Sequence, residues 1–501
     1  MTIFEQPNAM RPEVKNFLSR QHRLLIGAEW LPARSGQTRA VFDPGTGRQI
    51  ATVAEGGAED IDAAVVAARQ AFEHGAWPAL KPSERQRLML KVADIIEAHA
   101  DELAELETLD NGAPLFYSRN FFVMLAAEQF RYMAGWCTRL NGESIPISAP
   151  GEWHAYTLRE PVGVVGAVVP WNVPLMMAAQ KLAPAMVSGC TVVLKPAENT
   201  PLTALRLAEL VLEAGVPPGV FNVVTGDGLN AGNRLVEHPD VDKITFTGST
   251  AVGKRIVQGA AATLKRVSLE LGGKSPAIVF DDADLDITIP GVANAVFFNS
   301  GQVCVAGTRL FIHKKIFDQV VSGVAEQARQ LASTIGHGLN LNTRMGPLVS
   351  AEQLSRVSGY IDVGRSEGAE VVTGGGRLGD GGYFVEPTVL VNTHSRMTVV
   401  REEIFGPVVC AIPFDNDDLE ALALEANNTR YGLSGSVWTR DVSKAHRMAR
   451  RIRAGTIGIN AHGVLDMALP LGGYKESGWG REYGIEAVHA YTEIKTVSTR
   501  L

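Results

Sequence analysis

The chain has 501 residues, 46% apolar and 20% charged, with a formal net charge of −7. That length has room for roughly two to four domains with large cores, and the mildly acidic balance lacks the electrostatic footprint of a nucleic-acid binder. The four cysteines, Cys137, Cys190, Cys304 and Cys410, stand too far apart for a disulfide framework or a zinc site, and the histidines are scattered without ligand spacing.

Met1 to Arg20 holds no apolar core of a signal peptide. Residues 60–72 and 85–108 carry the apolar spacing of amphipathic helices. The most apolar stretch, Pro161 to Ala179, is interrupted by Pro170, Asn172 and Pro174, so it does not read as a membrane span. A cytoplasmic protein in a reducing compartment is expected.

From residue 162 short β-rich runs alternate with helical ones. Strands are predicted at 162–169, 191–195, 221–225 and 243–247, with helices at 174–188, 202–214 and 251–261. Further strands are predicted at 276–280, 309–313, 408–414 and 456–460, and helices at 316–332 and 443–453. This alternation predicts parallel, doubly wound α/β sheets. The glycine-rich segment 374–382 reads as a surface loop.

Four segments carry candidate chemistry. Cys304 lies between Gly301 and Gly307, after an apolar helical run and before a strand, a place that suits a loop nucleophile. The other three cysteines read as core residues. Glu270 ends an apolar run before Gly272 and Gly273; an apolar setting raises a carboxyl toward the working pH and makes it a usable base. Asn172 stands where a strand ends and a helix begins, able to donate to an oxyanion or to cap the helix. Phe246 to Gly253 closes a strand and opens a helix, a place for phosphate, although its glycines do not match the dinucleotide fingerprint.

Together these segments resemble the aldehyde dehydrogenase superfamily. The resemblance covers nearly the whole chain, through Pro170-Trp171-Asn172, Lys195-Pro196-Ala197-Glu198, Phe246-Thr247-Gly248-Ser249-Thr250, the Glu270 block, Gly301-Gln302-Val303-Cys304, Glu402-Glu403-Ile404-Phe405-Gly406-Pro407 and Gly472 to Gly478. It implies that Cys304 attacks the aldehyde, that Asn172 and the Cys304 N–H hold the oxyanion, and that Glu270 activates the water that hydrolyses the thioester. Lys181 and Glu482 match positions that relay a proton in relatives; otherwise they read as surface charges.

The same resemblance implies NAD as cofactor, held by Val169, Pro170, Trp171, Lys195, Glu198, Gly226, Gly248, Ser249, Val252, Leu271, Glu403 and Phe405. Glu198 would accept from the ribose 2′-hydroxyl and repel a 2′-phosphate. The implied fold is α/β, with two doubly wound Rossmann-like domains and a small β oligomerisation element. A cofactor domain would take 1–140 and 160–272, a catalytic domain 273–484, and the oligomerisation element 141–159 with 485–501. A homodimer or homotetramer is expected.

Three positions that are aromatic in many relatives read Val173, Gln180 and Leu471 here. With Met177, Val303, Val305, His462 and Leu465 they would form the substrate tunnel. Fewer large rings imply a wider tunnel and a bulky or ring-bearing aldehyde. The loop 460–466 and the segment after Arg20 look most similar to the phenylacetaldehyde dehydrogenases of bacteria. Aliphatic and semialdehyde substrates are the alternative. An acylating enzyme does not rely on a Glu at the position of Glu270, and a non-catalytic relative would not need Cys304.

Overall fold

The computed structural model describes residues 10–415 and 418–501. Among these, one sheet has eight strands, in the order Gly478–Trp479, Arg266–Glu270, Lys243–Thr247, Val164–Val168, Thr191–Lys195, Phe221–Val223, Leu24–Ile26 and Glu29–Leu31. The run from Arg266–Glu270 to Phe221–Val223 is parallel. Parallel neighbours need crossovers, which the helices Pro174–Ser188, Leu202–Glu213 and Thr250–Ala260 supply. Helices cover both faces, so Thr191–Lys195 is buried along its whole length and shows no polar alternation.

The chain steps outward from Val164–Val168 to Phe221–Val223, then returns to lay Lys243–Thr247 on the other side. This reversal sets the loops after Val168 and Thr247 side by side at the carboxyl edge of the sheet. Such a switch point is where doubly wound sheets bind ligands. Asn172 stands on one of these loops and Ser249 on the other.

The second sheet has seven strands among the described residues, in the order Glu370–Thr373, Thr388–Val391, Val408–Phe414, Arg309–His313, Pro276–Val279, Ser434–Trp438 and Thr456–Ile459. All its pairings are parallel except the one made by Glu370–Thr373. Its two faces bury separate apolar clusters, one around Val408, Cys410 and Ile278, the other around Val279, Ile312 and Trp438. A two-stranded ribbon pairs Trp153–Pro161 with Thr492–Arg500 in antiparallel register. No helix among the described residues is long and apolar enough to cross a membrane.

Three local expectations are corrected. The run 85–108 is two helices, Pro82–Ala98 and Ala100–Asn111, broken at His99. Neither Gly nor Pro marks that break. The second helix turns Glu107, Asp110 and Asn111 inward as well as its leucines. The glycine-rich segment is a short hairpin, Arg377–Leu378 with Phe384–Val385, because Phe384 is wholly buried against Ile335 and Met345. The helix expected to reach 453 ends at Ala449. Before the tail strand begins at Thr492, the helix Gly484–His489 and Tyr491 pack into the core that also holds Pro174–Ser188.

Candidate active site

The loop that carries Cys304 is held in a strained conformation. After the helix Leu285–Phe297, Asn299, Ser300 and Gly301 take φ of 49°, 55° and 70°. Each non-glycine residue in that region costs about 1–2 kcal/mol. Hydrogen bonds offset the cost: Asn299 Nδ2 donates to the Asn172 carbonyl at 3.0 Å, Ser300 Oγ to the Gly346 carbonyl at 2.8 Å, and the Gln302 N–H to the Asn299 carbonyl at 3.0 Å. Gly301 is required, because a Cβ there would lie 2.2 Å from the Gly406 carbonyl. The turn delivers Cys304 half-buried, whereas Cys137, Cys190 and Cys410 are buried.

Asn172 does not cap the helix that follows it; Val173 occupies the cap position. Its side-chain Nδ2 donates to the Gln302 carbonyl at 2.9 Å, which leaves a second amide hydrogen for a ligand oxygen. Its own carbonyl accepts from Asn111 Nδ2 and Asn299 Nδ2, each at 3.0 Å. The amide is therefore tied to the nucleophile loop from both ends.

Glu270 is 6% exposed at the end of Arg266–Glu270, and its Oε1 has no hydrogen-bond partner. Burial, and then the Glu482 charge, push its carboxyl well above the usual range; Lys181 and Arg481 pull the other way. Cys304 is pushed up to about 12 by burial, with Glu270 and Glu403 adding to the effect. Both the thiol and the carboxyl thus hold their protons, so attack by sulfur requires its proton to leave for a base. Gly273 lets the strand end touch the loop, since a Cβ there would lie 2.2 Å from the Cys304 carbonyl.

Lys181 and Glu482 are not surface charges. They are 0% and 2% exposed and form an ion pair, Nζ to Oε1, of 2.6 Å. Glu482 is set there by a two-way backbone bridge to Leu471, with both N–H···O distances 2.8 Å. The pair therefore lies within electrostatic reach of Glu270.

The cofactor candidates line the switch point. Lys195 Nζ donates to the carbonyls of Pro196 and Gly226 at 3.0 and 2.9 Å and pairs with Glu198 at 3.3 Å. The carbonyl of Lys195 accepts the Val169 N–H at 3.2 Å, which joins two of these segments. Gly226 and Gly248 keep the surface low: a Cβ would lie 2.4 Å from the Gly56 carbonyl at the first, and 2.4 Å from the Phe246 ring at the second. Ser249 Oγ accepts the Val252 N–H at 3.3 Å and opens the helix Thr250–Ala260, whose first N–H groups lack helical partners. Val252 itself is half-exposed, and Leu271 packs beneath the same helix at Gly253.

Across the cleft, Glu403 accepts the Gly273 N–H at 2.8 Å and is pushed up to about 7 by burial. Phe405 takes a φ of 61° and meets Trp171 edge-on, with ring centroids 5.2 Å apart. Gln353 Nε2 and Arg356 hold this turn through the Phe405 and Glu403 carbonyls, at 2.8 and 2.7 Å. A free helix start, two glycine floors and a partly exposed carboxyl on either side fit an extended dinucleotide.

On the substrate side, Val173, Met177 and Gln180 are buried, and Val303, Val305, Leu465 and Leu471 are partly exposed. Gln180 Oε1 is buried without a partner. His462 uses both ring nitrogens: Nε2 donates to the Val305 carbonyl at 2.7 Å, so Nδ1 accepts from Ser436 Oγ at 2.8 Å. Burial lowers its pKa, and it serves as a strut to the nucleophile loop. Phe116, Tyr117, Phe121, Phe122 and Phe298 form a chain of ring contacts that ends one residue before Asn299.

Asn111, Asn299, Gln302, Gln353 and Arg356 escaped the sequence reading. Asn299 carried a usable sign, because Asn tolerates left-handed backbone better than most residues. The others act through distant contacts that no local pattern marks.

The aldehyde dehydrogenase family model matches residues 30–497. A phenylacetaldehyde dehydrogenase of Pseudomonas fluorescens is 46% identical over 482 residues, 95% of each chain. DhaS of Bacillus subtilis, whose name gives an aldehyde dehydrogenase and no substrate, is 50% identical over 488 residues, 97% of each chain. The solved NAD+ complex of the Bacillus cereus aldehyde dehydrogenase superposes with a TM-score of 0.97 at 46% identity, covering 99% of this chain and 100% of that one. With a thiol, a carboxyl and an amide converging at the switch point, this chain belongs to the aldehyde dehydrogenase family and is an enzyme of that family.

Proposed function

We propose that this enzyme oxidises a ring-bearing aldehyde of the arylacetaldehyde type to its carboxylic acid, through a thiohemiacetal and then a thioester on Cys304. The observation that carries the mechanism is the Asn172 amide, tied by its side chain to the Cys304 loop with one hydrogen left over.

The cofactor is NAD, as in the Bacillus cereus complex. Glu198 and Lys195 would hold the adenosine ribose, Ser249 and the start of Thr250–Ala260 the pyrophosphate, and Glu403 and Phe405 the nicotinamide end. The Glu198 carboxylate accepts from a ribose hydroxyl and repels a phosphate ester there. NAD, when bound, supplies the hydride acceptor and a positive charge among these acids.

Cys304 Sγ adds to the aldehyde carbon as its proton passes to a solvent water, and the carbonyl oxygen becomes an oxyanion. The Asn172 Nδ2 hydrogen and the Cys304 N–H donate to that oxygen; one such donor is worth about 10²–10³ in rate. Once the carbon has been oxidised, Glu270 Oε1 takes a proton from water, which attacks the thioester carbon. Sulfur leaves as a thiolate and takes the proton of the new carboxyl group, and the product departs as the carboxylate. Glu270 then loses its proton toward the Lys181–Glu482 pair.

The substrate class is supported by the aliphatic positions Val173 and Leu471, by the ring chain that ends at Phe298, and by the likeness to the phenylacetaldehyde dehydrogenase. The ribbon of Trp153–Pro161 and Thr492–Arg500, with Leu158 and Ile494 exposed, is the proposed oligomerisation element of a homodimer or homotetramer. NADH formation, screened with NAD and NADP against arylacetaldehydes, benzaldehydes and short aliphatic aldehydes, tests the reading. Highest kcat/KM with NAD and arylacetaldehydes is expected. A preference for acetaldehyde would overturn the substrate class and leave the mechanism standing.

A further inference from the structure

The helix Ala100–Asn111 lies outside every motif of the reaction, yet the polar side chains of its last turns are buried. Glu107, Asp110 and Asn111 are 0%, 0% and 3% exposed. Each is directed at a segment that carries the site. Glu107 Oε2 accepts the Leu175 N–H at 3.3 Å, in the first turn of Pro174–Ser188. Asp110 Oδ2 accepts the Leu202 N–H at 2.8 Å, at the start of Leu202–Glu213. Each carboxyl oxygen satisfies an N–H that the first turn of a helix leaves without a helical partner. The helix is thereby docked on the two connections that carry Asn172 and Glu198.

Asn111, its last residue, makes the contact that matters for the chemistry. Nδ2 donates to the Asn172 carbonyl at 3.0 Å, and Oδ1 accepts the Ala113 N–H at 2.7 Å, which fixes the amide's orientation. The Asn172 carbonyl takes its second hydrogen bond from Asn299, in the nucleophile loop. Asn172 returns one to that loop at the Gln302 carbonyl, and Gln302 Oε1 accepts the Val349 N–H at 3.0 Å. Both lone pairs of the Asn172 carbonyl are therefore filled, one from a fixed helix and one from the loop beside Cys304. A peptide held in that way cannot rotate without breaking a buried hydrogen bond.

We infer that Asn111 is a positioning residue of the reaction, which fixes the Asn172 amide against the Cys304 loop so that its free hydrogen meets the oxyanion. The inference rests on the reading of Asn172 as oxyanion donor. Asn111 meets the reaction site at the Asn172 carbonyl, so its effect should pass through Asn172.

The test is a double-mutant cycle in the full-length enzyme, Asn111→Leu and Asn172→Ala, with kcat/KM for the aldehyde as readout. NAD affinity and thermal unfolding are followed in parallel. Asn111→Leu keeps the branched shape, adds some bulk, and removes both the donor to Asn172 and the acceptor of the Ala113 N–H. It is expected to lower kcat/KM by roughly 10²-fold, the cost of a misplacement of about 1 Å, while leaving NAD affinity unchanged. In the Asn172→Ala background the same change should cost little more, because the group that it positions is gone. If Asn111→Leu does not fold, Asn111→Ser carries the test; it can still accept from Ala113 and is too short to reach Asn172. A wild-type kcat/KM on removing the Asn111 amide, or its full loss repeated on top of Asn172→Ala, overturns the inference. A wild-type rate for Asn172→Ala itself overturns instead the reading beneath.

Discussion

Gly272→Ala asks whether the placement of Glu403 matters to the reaction. A Cβ at residue 272 would stand 2.2 Å from Glu403 Oε2. To regain ordinary van der Waals separation the carboxyl must retreat by about 1 Å. Its other oxygen accepts the Gly273 N–H at 2.8 Å, and that bond would not survive such a shift. A displacement of about 1 Å in a positioning contact costs up to about 10²-fold in rate. A second signature follows from the proton on Glu403. Burial pushes this carboxyl up to about 7, while the Gly273 N–H and Lys274 pull it down. Losing the N–H removes a downward pull, so the variant holds its proton to higher pH. The assay is kcat/KM for NAD as a function of pH. A loss of about 10²-fold at neutral pH is expected, with the acid limb moved to higher pH and the loss shrinking as pH rises. A wild-type midpoint in thermal unfolding should separate this defect from general damage. A wild-type kcat/KM, or a lowered one with an unshifted acid limb, refutes the reasoning.

Cys304→Ala should abolish NADH formation while titration calorimetry finds NAD binding intact; residual turnover near wild type would end the thioester mechanism. Glu270→Gln should give a burst of NADH and then a stall. It should also speed iodoacetamide alkylation of Cys304 at a given pH, since removing a nearby carboxylate lowers a thiol held up at about 12. Slower alkylation would mean instead that Glu270 serves as base to the thiol itself. Lys181→Met strands the Glu482 carboxyl inside the protein and should destabilise it by about 3–5 kcal/mol in urea unfolding, with Lys181→Met/Glu482→Gln recovering most of the loss. A single variant as stable as wild type would show that the buried pair contributes nothing.

Much of this molecule is legible in its sequence. The strands Thr191–Lys195, Lys243–Thr247 and Arg309–His313 and the helix Pro174–Ser188 stand where apolar periodicity places them. They are sandwiched between layers, so burial dictates their residues one by one. The break at His99 was not legible, because Ala100–Asn111 buries polar side chains as well as leucines and carries no stop residue between it and its predecessor. Nor was the Phe384 hairpin, since its glycine turn reads as a loop until Phe384 is seen packed against Ile335 and Met345.

The site divides along the same line. Cys304 and Glu270 are visible because each follows a regular element beside the glycines that its loop needs, and Asn172 because Pro170 and Pro174 mark the turn from strand to helix. The groups that aim them are not visible. Asn111 and Asn299 reach Asn172 across 61 and 127 residues, and a buried amide has the same letter whether it positions a catalytic group or satisfies a turn. Lys181 and Glu482, 301 residues apart, read equally well as surface charges until the fold closes around them. His462 carries a chemically versatile side chain, yet both its nitrogens are spent on Ser436 and Val305. Residue type thus announces what a side chain can do. Whether it is free to act on substrate or is committed to holding another residue depends on which of its hydrogen-bonding atoms the fold has already used.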